Sequence, residues 1–237
     1  MRYTTLLLDL DHTLLDTDAS EAVAFDYALR NAGAAEPSVY LAAYQSINRN
    51  LWSAVERGQI TTADVRVARF AQLVEVAGIA ADPLTLADDF TDGLGNHGDL
   101  YPGVREVLDT LAGRCSMALI TNGLSVVQRA RIARLDLERY FAAVVISSEV
   151  GCAKPATAIF DLAFAMLQHP SKASALMVGD SLTSDIQGGR NYGIATCWYN
   201  PHGYDGGAGV AADPHRVDHE IAGITQLLDL ALLTPAI

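Results

Sequence analysis

The stretch LLLDLDHTLLD, residues 6–16, runs three leucines directly into two closely spaced aspartates. The apolar run from Thr4 to Leu8 is continuous rather than alternating, which predicts a strand that is covered on both faces. Asp9 and Asp11 follow it one residue apart, and Thr13 comes next. Two carboxylates in so small a space repel each other, and a divalent cation relieves that repulsion. The stretch therefore predicts a buried strand that ends in an acidic site.

Further apolar runs of strand length alternate with helical patterns along the rest of the chain. The predicted strands are Met117–Thr121, Val144–Ser147, Leu176–Gly179 and Ala195–Tyr199, and the predicted helices are Val104–Leu111, Ser125–Leu135, Thr157–Leu167 and Thr183–Asn191. This alternation predicts an α/β fold, a Rossmann-like core in which a parallel sheet is flanked by helices. The spacing of Ser125 and Gln128 predicts a capping box, and Pro155 is expected in the first turn of its helix. A covering helix over Ile224–Leu233 and a flexible surface loop over residues 203–214 complete the prediction.

The chain between the first strand and the rest of the sheet differs in kind. It carries only helical patterns, at Glu21–Asn31, Val39–Arg57, Thr61–Val76 and Leu84–Leu94, separated by glycines and prolines. A helical block inserted into a sheet-forming sequence is most simply a cap domain. We therefore expect an inserted all-helical cap domain over residues 17–95, and an α/β core domain formed by residues 1–16 and 96–237.

Composition narrows the possible partners. The 237 residues are 50% hydrophobic and 19% charged, enough for a substantial core in one or two domains. A net charge of −12 with only 16 Lys plus Arg argues against a nucleic acid polymer or a membrane surface as partner. Any anionic ligand is therefore expected to be small. The sequence makes no prediction of the oligomeric state.

The cysteines and the apolar runs indicate in which compartment of the cell the protein is expected. Cys115, Cys152 and Cys197 are widely spaced and odd in number, which fits neither a disulfide framework nor a zinc site. The chain shows neither a signal peptide nor an apolar run long enough to span a membrane. These features predict a cytoplasmic location.

Polar residues follow the predicted strands at the edge where ligands bind in parallel sheets. After the first strand and Asp9, Asp11 and Thr13, the remaining strand ends contribute Thr121, Asn122, Gly123, Lys154, Asp180 and Asp185. Each has a plain structural explanation when taken alone, such as a turn or the first turn of a helix. Their joint occurrence at successive strand ends favours a single acidic site.

The motifs DLDHT, ITNG, KP and GDSLTSD resemble, in this order, the four motifs of the haloacid dehalogenase-like hydrolases, most of which are Mg²⁺-dependent phosphatases. The helical insertion resembles their C1-capped subgroup. The segments LWSAVERGQIT, ITNGLSVVQRARI, VVISSEVGCAKP and MVGDSLTSDIQGGRNYGIATCWYNP resemble the pyrimidine 5′-nucleotidase branch. Related sugar-phosphate and N-acylneuraminate 9-phosphate phosphatases share much of this pattern.

The resemblance implies a role for each matching residue. Asp9 is implied as nucleophile and Mg²⁺ ligand, and Asp11 as acid and base, with its main-chain carbonyl a second ligand. Asp180 is implied as the third ligand, and Asp185 as a residue that steadies the water around the metal. Thr121, Asn122 and Lys154 are the implied phosphate-binding residues.

Several other polar residues could have either a functional or a structural role. In the helical insertion, Asn48, Arg49 and Trp52 are candidates to face a nucleoside base, although a helix-packing role explains them equally well. Arg129, Arg131, Arg134 and Arg139 are expected on an exposed helix face. His215 and His219 have metal-like spacing but are expected at the surface. Ala156 stands where many relatives have a helix-capping acid, and His12 is expected only to tune access.

The residues and the resemblance together favour a Mg²⁺-dependent phosphomonoesterase that acts through an aspartyl phosphate. The expected substrate is a nucleoside 5′-monophosphate, as the resemblance to the pyrimidine nucleotidases implies. The alternative within this class is a sugar-phosphate or N-acylneuraminate 9-phosphate phosphatase. A 2-haloacid dehalogenase is disfavoured because that chemistry needs neither an acid at Asp11 nor a metal. A non-catalytic sensor of phosphorylated metabolites is disfavoured because it need not retain a nucleophile and a proton shuttle.

Overall fold

A six-stranded parallel sheet forms the centre of the molecule, with the strand order β3-β2-β1-β4-β5-β6. The structure is a computed structural model and describes residues 2–204 and 217–232. The strands are β1 Thr5–Leu8, β2 Ser116–Thr121, β3 Ala143–Ile146, β4 Ala175–Gly179, β5 Ala195–Tyr199 and β6 His219–Ile221. The predicted α/β fold with a parallel sheet is confirmed.

The first strand lies in the middle of this sheet. Leu8, its last residue, is in register with Leu119 of β2 on one side and with Val178 of β4 on the other. All four residues of β1 are buried, as the continuous apolar run predicts. The residues that follow β1, β2 and β4 therefore emerge side by side at one edge of the sheet.

Helices and short helical turns account for the rest of the described secondary structure. The helices are α1 Thr17–Asn31, α2 Leu41–Glu56, α3 Thr62–Ala77, α4 Pro83–Asn96, α5 Val104–Leu111, α6 Ser125–Arg134, α7 Ser147–Val150, α8 Thr157–Met166, α9 Gln187–Tyr192 and α10 Leu227–Leu232. Short 3₁₀ turns cover Pro37–Tyr40, Glu138–Tyr140, Lys172–Ser174 and Ile224–Gln226. None of the helices described is both long and apolar enough to cross a membrane.

The helices α1 to α4, which we call the helical segment, have a core of their own. Four aromatic side chains, Phe25, Tyr44, Phe70 and Phe90, pack against one another there, with ring centroids 4.7 to 5.9 Å apart. Local signals set the helix starts, because side-chain oxygens of Asp16, Thr61 and Asp82 cap α1, α3 and α4. Residues 17–95 contain no strand, and their assignment to a separate cap domain stays a prediction.

The predicted first residues of α6 and α8, Ser125 and Thr157, are confirmed, but the two signals expected at these helix starts are wrong. The capping box at Ser125 does not form, because Leu124 is the N-cap of α6 and the Gln128 side chain binds elsewhere. Pro155 lies before α8 rather than in its first turn, since the helix begins at Thr157 with Ala156 as its N-cap. Ala156 provides no side-chain bond to that helix, as expected where an acid is replaced by alanine.

Other differences concern short elements. The strand β6 was not predicted, because three residues that follow a loop give too short a pattern. His219 lies in this strand, where its ring bonds to the Tyr3 hydroxyl at 2.8 Å, so it is half-buried rather than at the surface. The helix predicted from Thr183 begins instead as a π-helical turn over Leu182–Ile186, which α9 continues. His215, Leu233 and residues 205–214 of the predicted loop lie outside the described residues.

Candidate active site

Three carboxylates converge at the carboxyl edge of the sheet. Asp9 follows β1, Asp180 follows β4, and Asp185 belongs to the π-helical turn after it. One oxygen from each lies within 4.8 Å of the others. Asp9 and Asp185 are buried and Asp180 is half-buried. The strand order explains this convergence, because β1 and β4 are neighbours and end at the same level.

A glycine at the end of β4 makes room for Asp185. A Cβ atom at Gly179 would lie 2.2 Å from Asp185 Oδ2, so no larger residue fits there without moving the carboxylate. The backbone N–H of Ser181 donates to that same oxygen at 3.0 Å. The pair Gly179-Asp180 therefore marks a tight turn at the end of β4. The missing side chain of Gly179 leaves the space that the Asp185 carboxylate occupies.

Lys154 provides the positive charge of this cluster. Its Nζ donates to Asp9 Oδ1 at 2.5 Å, to Asp185 Oδ1 at 2.6 Å and to the Ile120 carbonyl at 2.9 Å. Only 1% of the lysine side chain is exposed. All three ammonium protons therefore have acceptors, as a buried charge requires.

Asn122 holds the backbone of that lysine. The amide Nδ2 donates to the Lys154 carbonyl, and the Lys154 N–H donates to Asn122 Oδ1, both at 2.9 Å. The predicted phosphate contact of Asn122 stays a prediction, and both ends of its side-chain amide already serve this bridge. Asn122 thereby fixes the segment that brings Lys154 to Asp9.

Thr13 links the two principal acids. Its hydroxyl donates to Asp9 Oδ2 at 3.2 Å and accepts a bond from the Asp180 N–H at 3.0 Å. The threonine is fully buried, so this link is shielded from solvent. The threonine at the fifth position of the DLDHT motif therefore has a structural function that the sequence did not reveal.

Asp11 lies apart from the three clustered acids, in a pocket of donors. Its Oδ1 accepts bonds from the Thr17 hydroxyl at 2.8 Å and from Arg131 Nη1 at 2.6 Å. Its Oδ2 accepts a bond from Gln128 Nε2 at 2.5 Å. Gln128 Nε2 also contacts the Thr121 hydroxyl at 2.7 Å. Thr121 is fully buried beside Asp11, and its predicted contact with phosphate stays a prediction.

The expectation that all four arginines lie on an exposed helix face is wrong for Arg131. Its side chain is 3% exposed and turns inward to Asp11, whereas Arg129 of the same helix is 45% exposed and pairs with Glu149. No sequence signal distinguishes the two residues, because arginines at neighbouring positions of a polar helix look alike. Thr17, Gln128 and Arg131 are thus site residues that sequence reasoning missed.

Burial and charge set the protonation of these groups. Burial, with the charges of Asp185 and Asp180, raises the pKa of Asp9 well above its usual value, although Lys154 opposes this. Burial, then the charge of Asp185, raises the pKa of Asp180 to about 7. Burial alone would lower the pKa of Lys154, but Asp185 and Asp9 outweigh it and raise the pKa. The cluster therefore has more negative charge than one lysine offsets.

The pKa of Asp11 is shifted in the opposite direction, below its usual value. Burial alone would raise the pKa of its carboxyl, but the Arg131 guanidinium, His12 and the bonds from Thr17 and Gln128 together lower it. The two aspartates of the DLDHT motif thus lie in opposite electrostatic environments, two residues apart. Such a difference between neighbouring acids is typical of sites in which they have different tasks.

The donor set fits a hard divalent cation. Asp9, Asp180 and Asp185 offer carboxylate oxygens within 4.8 Å of one another, and Mg²⁺ prefers oxygen ligands of this kind. The raised pKa values of Asp9 and Asp180 show the repulsion that a cation would relieve. The residues present therefore fit the expected Mg²⁺.

A cavity of about 680 Å³ opens above these acids. The helical segment contributes one wall of it, through Glu21, Asn48, Arg49, Trp52, Glu56 and Arg69. The predicted specificity residues Asn48, Arg49 and Trp52 therefore line the same cavity as Asp9 and Asp180. Asn48 Nδ2 donates to Glu21 Oε1 at 3.0 Å, and burial raises the pKa of Glu56.

Comparisons with known proteins agree with this geometry. Residues 3–193 match the family described as haloacid dehalogenase-like hydrolase. The chain is 38% identical over 203 residues to the pyrimidine 5′-nucleotidase PynA of Streptococcus pneumoniae, covering 85% of this chain and 86% of the relative. It is also 38% identical over 168 residues to the pyrimidine 5′-nucleotidase YjjG of Escherichia coli, covering 71% and 74%.

Among solved structures, the putative HAD-hydrolase YfnB of Bacillus subtilis, bound to magnesium and described as revealing interdomain movement, is similar to this chain. The TM-score is 0.89 at 30% identity, with 98% of this chain and 100% of that chain covered. The four motifs, the parallel sheet with its converging acids, and these matches lead to one conclusion. The chain belongs to the haloacid dehalogenase-like hydrolases.

Proposed function

We propose that this hydrolase is a Mg²⁺-dependent phosphomonoesterase that forms an aspartyl phosphate on Asp9, and that it acts on nucleoside 5′-monophosphates. One observation carries the proposal: the buried ammonium of Lys154 bridges Asp9 and Asp185, 2.5 and 2.6 Å away, beside the acid Asp180. A nucleophilic carboxylate needs such nearby positive charge, both to remain ionised and to attract a phosphoryl dianion.

Asp9, Asp180 and the main-chain carbonyl of Asp11 would hold Mg²⁺, which when bound supplies charge that neutralises carboxylate and phosphoryl oxygens. In the first step, an oxygen of Asp9 forms a bond to phosphorus while the bond from phosphorus to the ester oxygen breaks. Asp11 must be protonated for this step, although its donors lower its pKa, and it gives that proton to the leaving alkoxide. Lys154 remains beside Asp9 and holds the phosphoryl oxygens in place.

The second step releases the phosphate. Asp11, now ionised, takes a proton from a water molecule, and the resulting nucleophile attacks phosphorus and breaks its bond to Asp9. The products are inorganic phosphate and regenerated Asp9. The donors around Asp11 stabilise its ionised form, which is the form that this second step requires.

The size and lining of the cavity support a nucleotide rather than a very small ester. A volume of about 680 Å³ leaves ample space beyond the phosphate site, and the wall includes the indole of Trp52. An indole offers a flat apolar surface on which a base can stack. The similarity to two pyrimidine 5′-nucleotidases favours a pyrimidine base.

Sugar phosphates are the second candidate, because the polar side chains of Glu21, Asn48 and Arg69 on the same wall suit hydroxyl groups. A phosphate-release assay with UMP, dUMP, dTMP, purine nucleotides, sugar phosphates and phosphoglycolate distinguishes the two. We expect the pyrimidine nucleotides to be turned over fastest, and only with Mg²⁺ present.

Clear outcomes would contradict the proposal. Turnover that persists in EDTA would remove the metal from the mechanism. Binding of nucleotides, seen as a rise in Tm without release of phosphate from any ester, would indicate a sensor. Release of halide from a 2-haloacid would indicate dehalogenase chemistry.

A further inference from the structure

The guanidinium of Arg131 lies where three parts of the chain meet. Its Nη1 donates to Asp11 Oδ1 at 2.6 Å, its Nη2 to Ser20 Oγ at 2.8 Å and its Nε to the Leu94 carbonyl at 2.9 Å. Asp11 follows β1, Ser20 lies in the first turn of α1, and Leu94 lies in the last turn of α4. One planar group therefore contacts an acid of the site and both ends of the helical segment.

These two ends are packed tightly against each other. The Asp16 N–H donates to the Asp99 carbonyl at 2.9 Å. This bond joins the segment that enters α1 to the segment that leaves α4. A Cβ atom at Gly98 would lie 2.7 Å from the Cβ of Ser20, so these two segments are in van der Waals contact and leave no space for a larger residue at position 98. The Ser20 hydroxyl also donates to the Thr17 carbonyl at 2.9 Å. A movement of the helical segment must therefore either break the bonds of Arg131 or carry its guanidinium along.

A change in the position of the Arg131 guanidinium acts directly on the Asp11 carboxylate. Arg131 and Thr17 bind one of its oxygens and Gln128 binds the other, so its orientation is set by these donors. A guanidinium is rigid and planar, which means that its donors cannot be adjusted one at a time. The direction of the bond to Asp11 is therefore coupled to the bonds with Ser20 and Leu94.

We propose that Arg131 is a positioning residue that orients the carboxylate of Asp11 and couples this orientation to the position of the helical segment. The inference rests on the proposed function, in which Asp11 protonates the leaving group. A positioning residue of this kind matters most where the leaving group needs that proton.

The experiment compares two substrates in three variants. UMP has an alkoxide leaving group that requires a proton, whereas p-nitrophenyl phosphate releases a stable anion without one. The variants are Arg131→Met, which removes every contact of the guanidinium, Arg131→Lys, which keeps the charge but not the three-way bond, and Arg129→Met. Arg129 lies on the same helix and pairs with Glu149 at the surface, so it is the matched control.

We expect Arg131→Met to lower kcat/KM for UMP, which reports the phosphorylation step and not the later release of phosphate, by about 100-fold, the order attributed to a placed acid. The loss with p-nitrophenyl phosphate should be at least about tenfold smaller, because that leaving group needs no proton. Arg131→Lys should show the same split in weaker form, and Arg129→Met should match the wild type. If Arg131→Met fails to fold, the split in Arg131→Lys decides the question.

A double-mutant cycle tests whether Arg131 acts through Asp11. In the background of Asp11→Asn, where no acid remains to be oriented, adding Arg131→Lys should lower the residual rate no further. Equal losses for both substrates, kinetics like the wild type in Arg131→Lys, or an undiminished effect in the Asp11→Asn background would each overturn the inference. These outcomes presuppose that the wild type hydrolyses UMP, so its failure to do so would refute the proposed function instead.

Discussion

The ammonium of Lys154 lies 2.5 Å from Asp9 Oδ1, although the two residues are 145 positions apart in the chain. It also binds Asp185, so a single lysine stands between two buried carboxylates. Charges in this arrangement depend on one another, because removal of one partner leaves the others desolvated and unpaired. The stability of the protein and the proposed phosphate site therefore share this residue.

Replacement of Lys154 by methionine should accordingly destabilise the fold. We expect the free energy of unfolding to fall by about 3 to 5 kcal/mol, the range for breaking a buried ion pair. Denaturant unfolding without metal measures this. Lys172→Met is the matched control, since Lys172 is exposed, bonds to the Tyr192 carbonyl and should contribute much less. Equal effects of the two substitutions would contradict the assigned burial of Lys154.

The variant Asp9→Asn should separate stability from turnover. The side chain keeps its shape but loses the nucleophile, so kcat should fall by about 10³-fold or more. Because burial and neighbouring acids raise the pKa of Asp9, the neutral amide should leave the Tm in EDTA unchanged or higher. Asp26→Asn, at an exposed helix position paired with Arg30, serves as the control. Substantial phosphate release by Asp9→Asn would refute covalent catalysis there.

Magnesium should stabilise the protein through the clustered acids. A ligand that binds only the folded state at 100 times its Kd adds about 2.7 kcal/mol, so Tm should rise clearly in saturating MgCl₂. The variant Asp180→Asn should lose most of this rise, while Asp26→Asn keeps it. Thermal unfolding in MgCl₂, in NaCl of equal ionic strength and in EDTA makes the comparison. A rise of Tm that is unchanged in Asp180→Asn would place the cation elsewhere.

A methyl group at position 179 should disturb the same cluster sterically. The added Cβ of Gly179→Ala would lie 2.2 Å from Asp185 Oδ2, so that carboxylate must move. We expect a loss of about 1 to 3 kcal/mol in the free energy of unfolding, as for other overpacked sites, and weaker stabilisation by magnesium. Gly223→Ala is the control, because its nearest neighbour would be 3.9 Å away. Wild-type behaviour of Gly179→Ala would contradict this packing.

The cysteines provide a test that involves pH. Burial, then the charge of Glu220, raises the pKa of the Cys197 thiol to about 12. The folded state therefore favours the protonated thiol, and the stabilisation this gives is complete below the ordinary thiol pKa and is lost as pH rises towards 12. At pH 8 a thiol reagent should modify half-buried Cys152 quickly and Cys197 only after unfolding. Fast labelling of two thiols in Cys152→Ser would contradict this.

Much of the fold was predictable, because continuous apolar runs and their polar ends report burial directly. Five strands and the acids that follow β1 and β4 were found in this way. The inward turn of Arg131 was not predictable, because a polar helix that packs against a polar site has no apolar stripe to orient it. The partners of Gln128 were missed for a related reason, since its spacing from Ser125 is equally typical of a cap. Asn122 was assigned to phosphate because sequence position cannot show that its amide binds the backbone of Lys154.

The pairing of Leu15 with Leu100 has a consequence for how this architecture can change. These two residues form an antiparallel bridge, so the chain leaves the sheet layer and returns to it at the same point. An insertion whose ends already touch can be lengthened, shortened or exchanged without altering the register of any strand. The side chains that the helical segment contributes to the cavity wall can therefore diverge while the carboxylates at the strand ends stay in place.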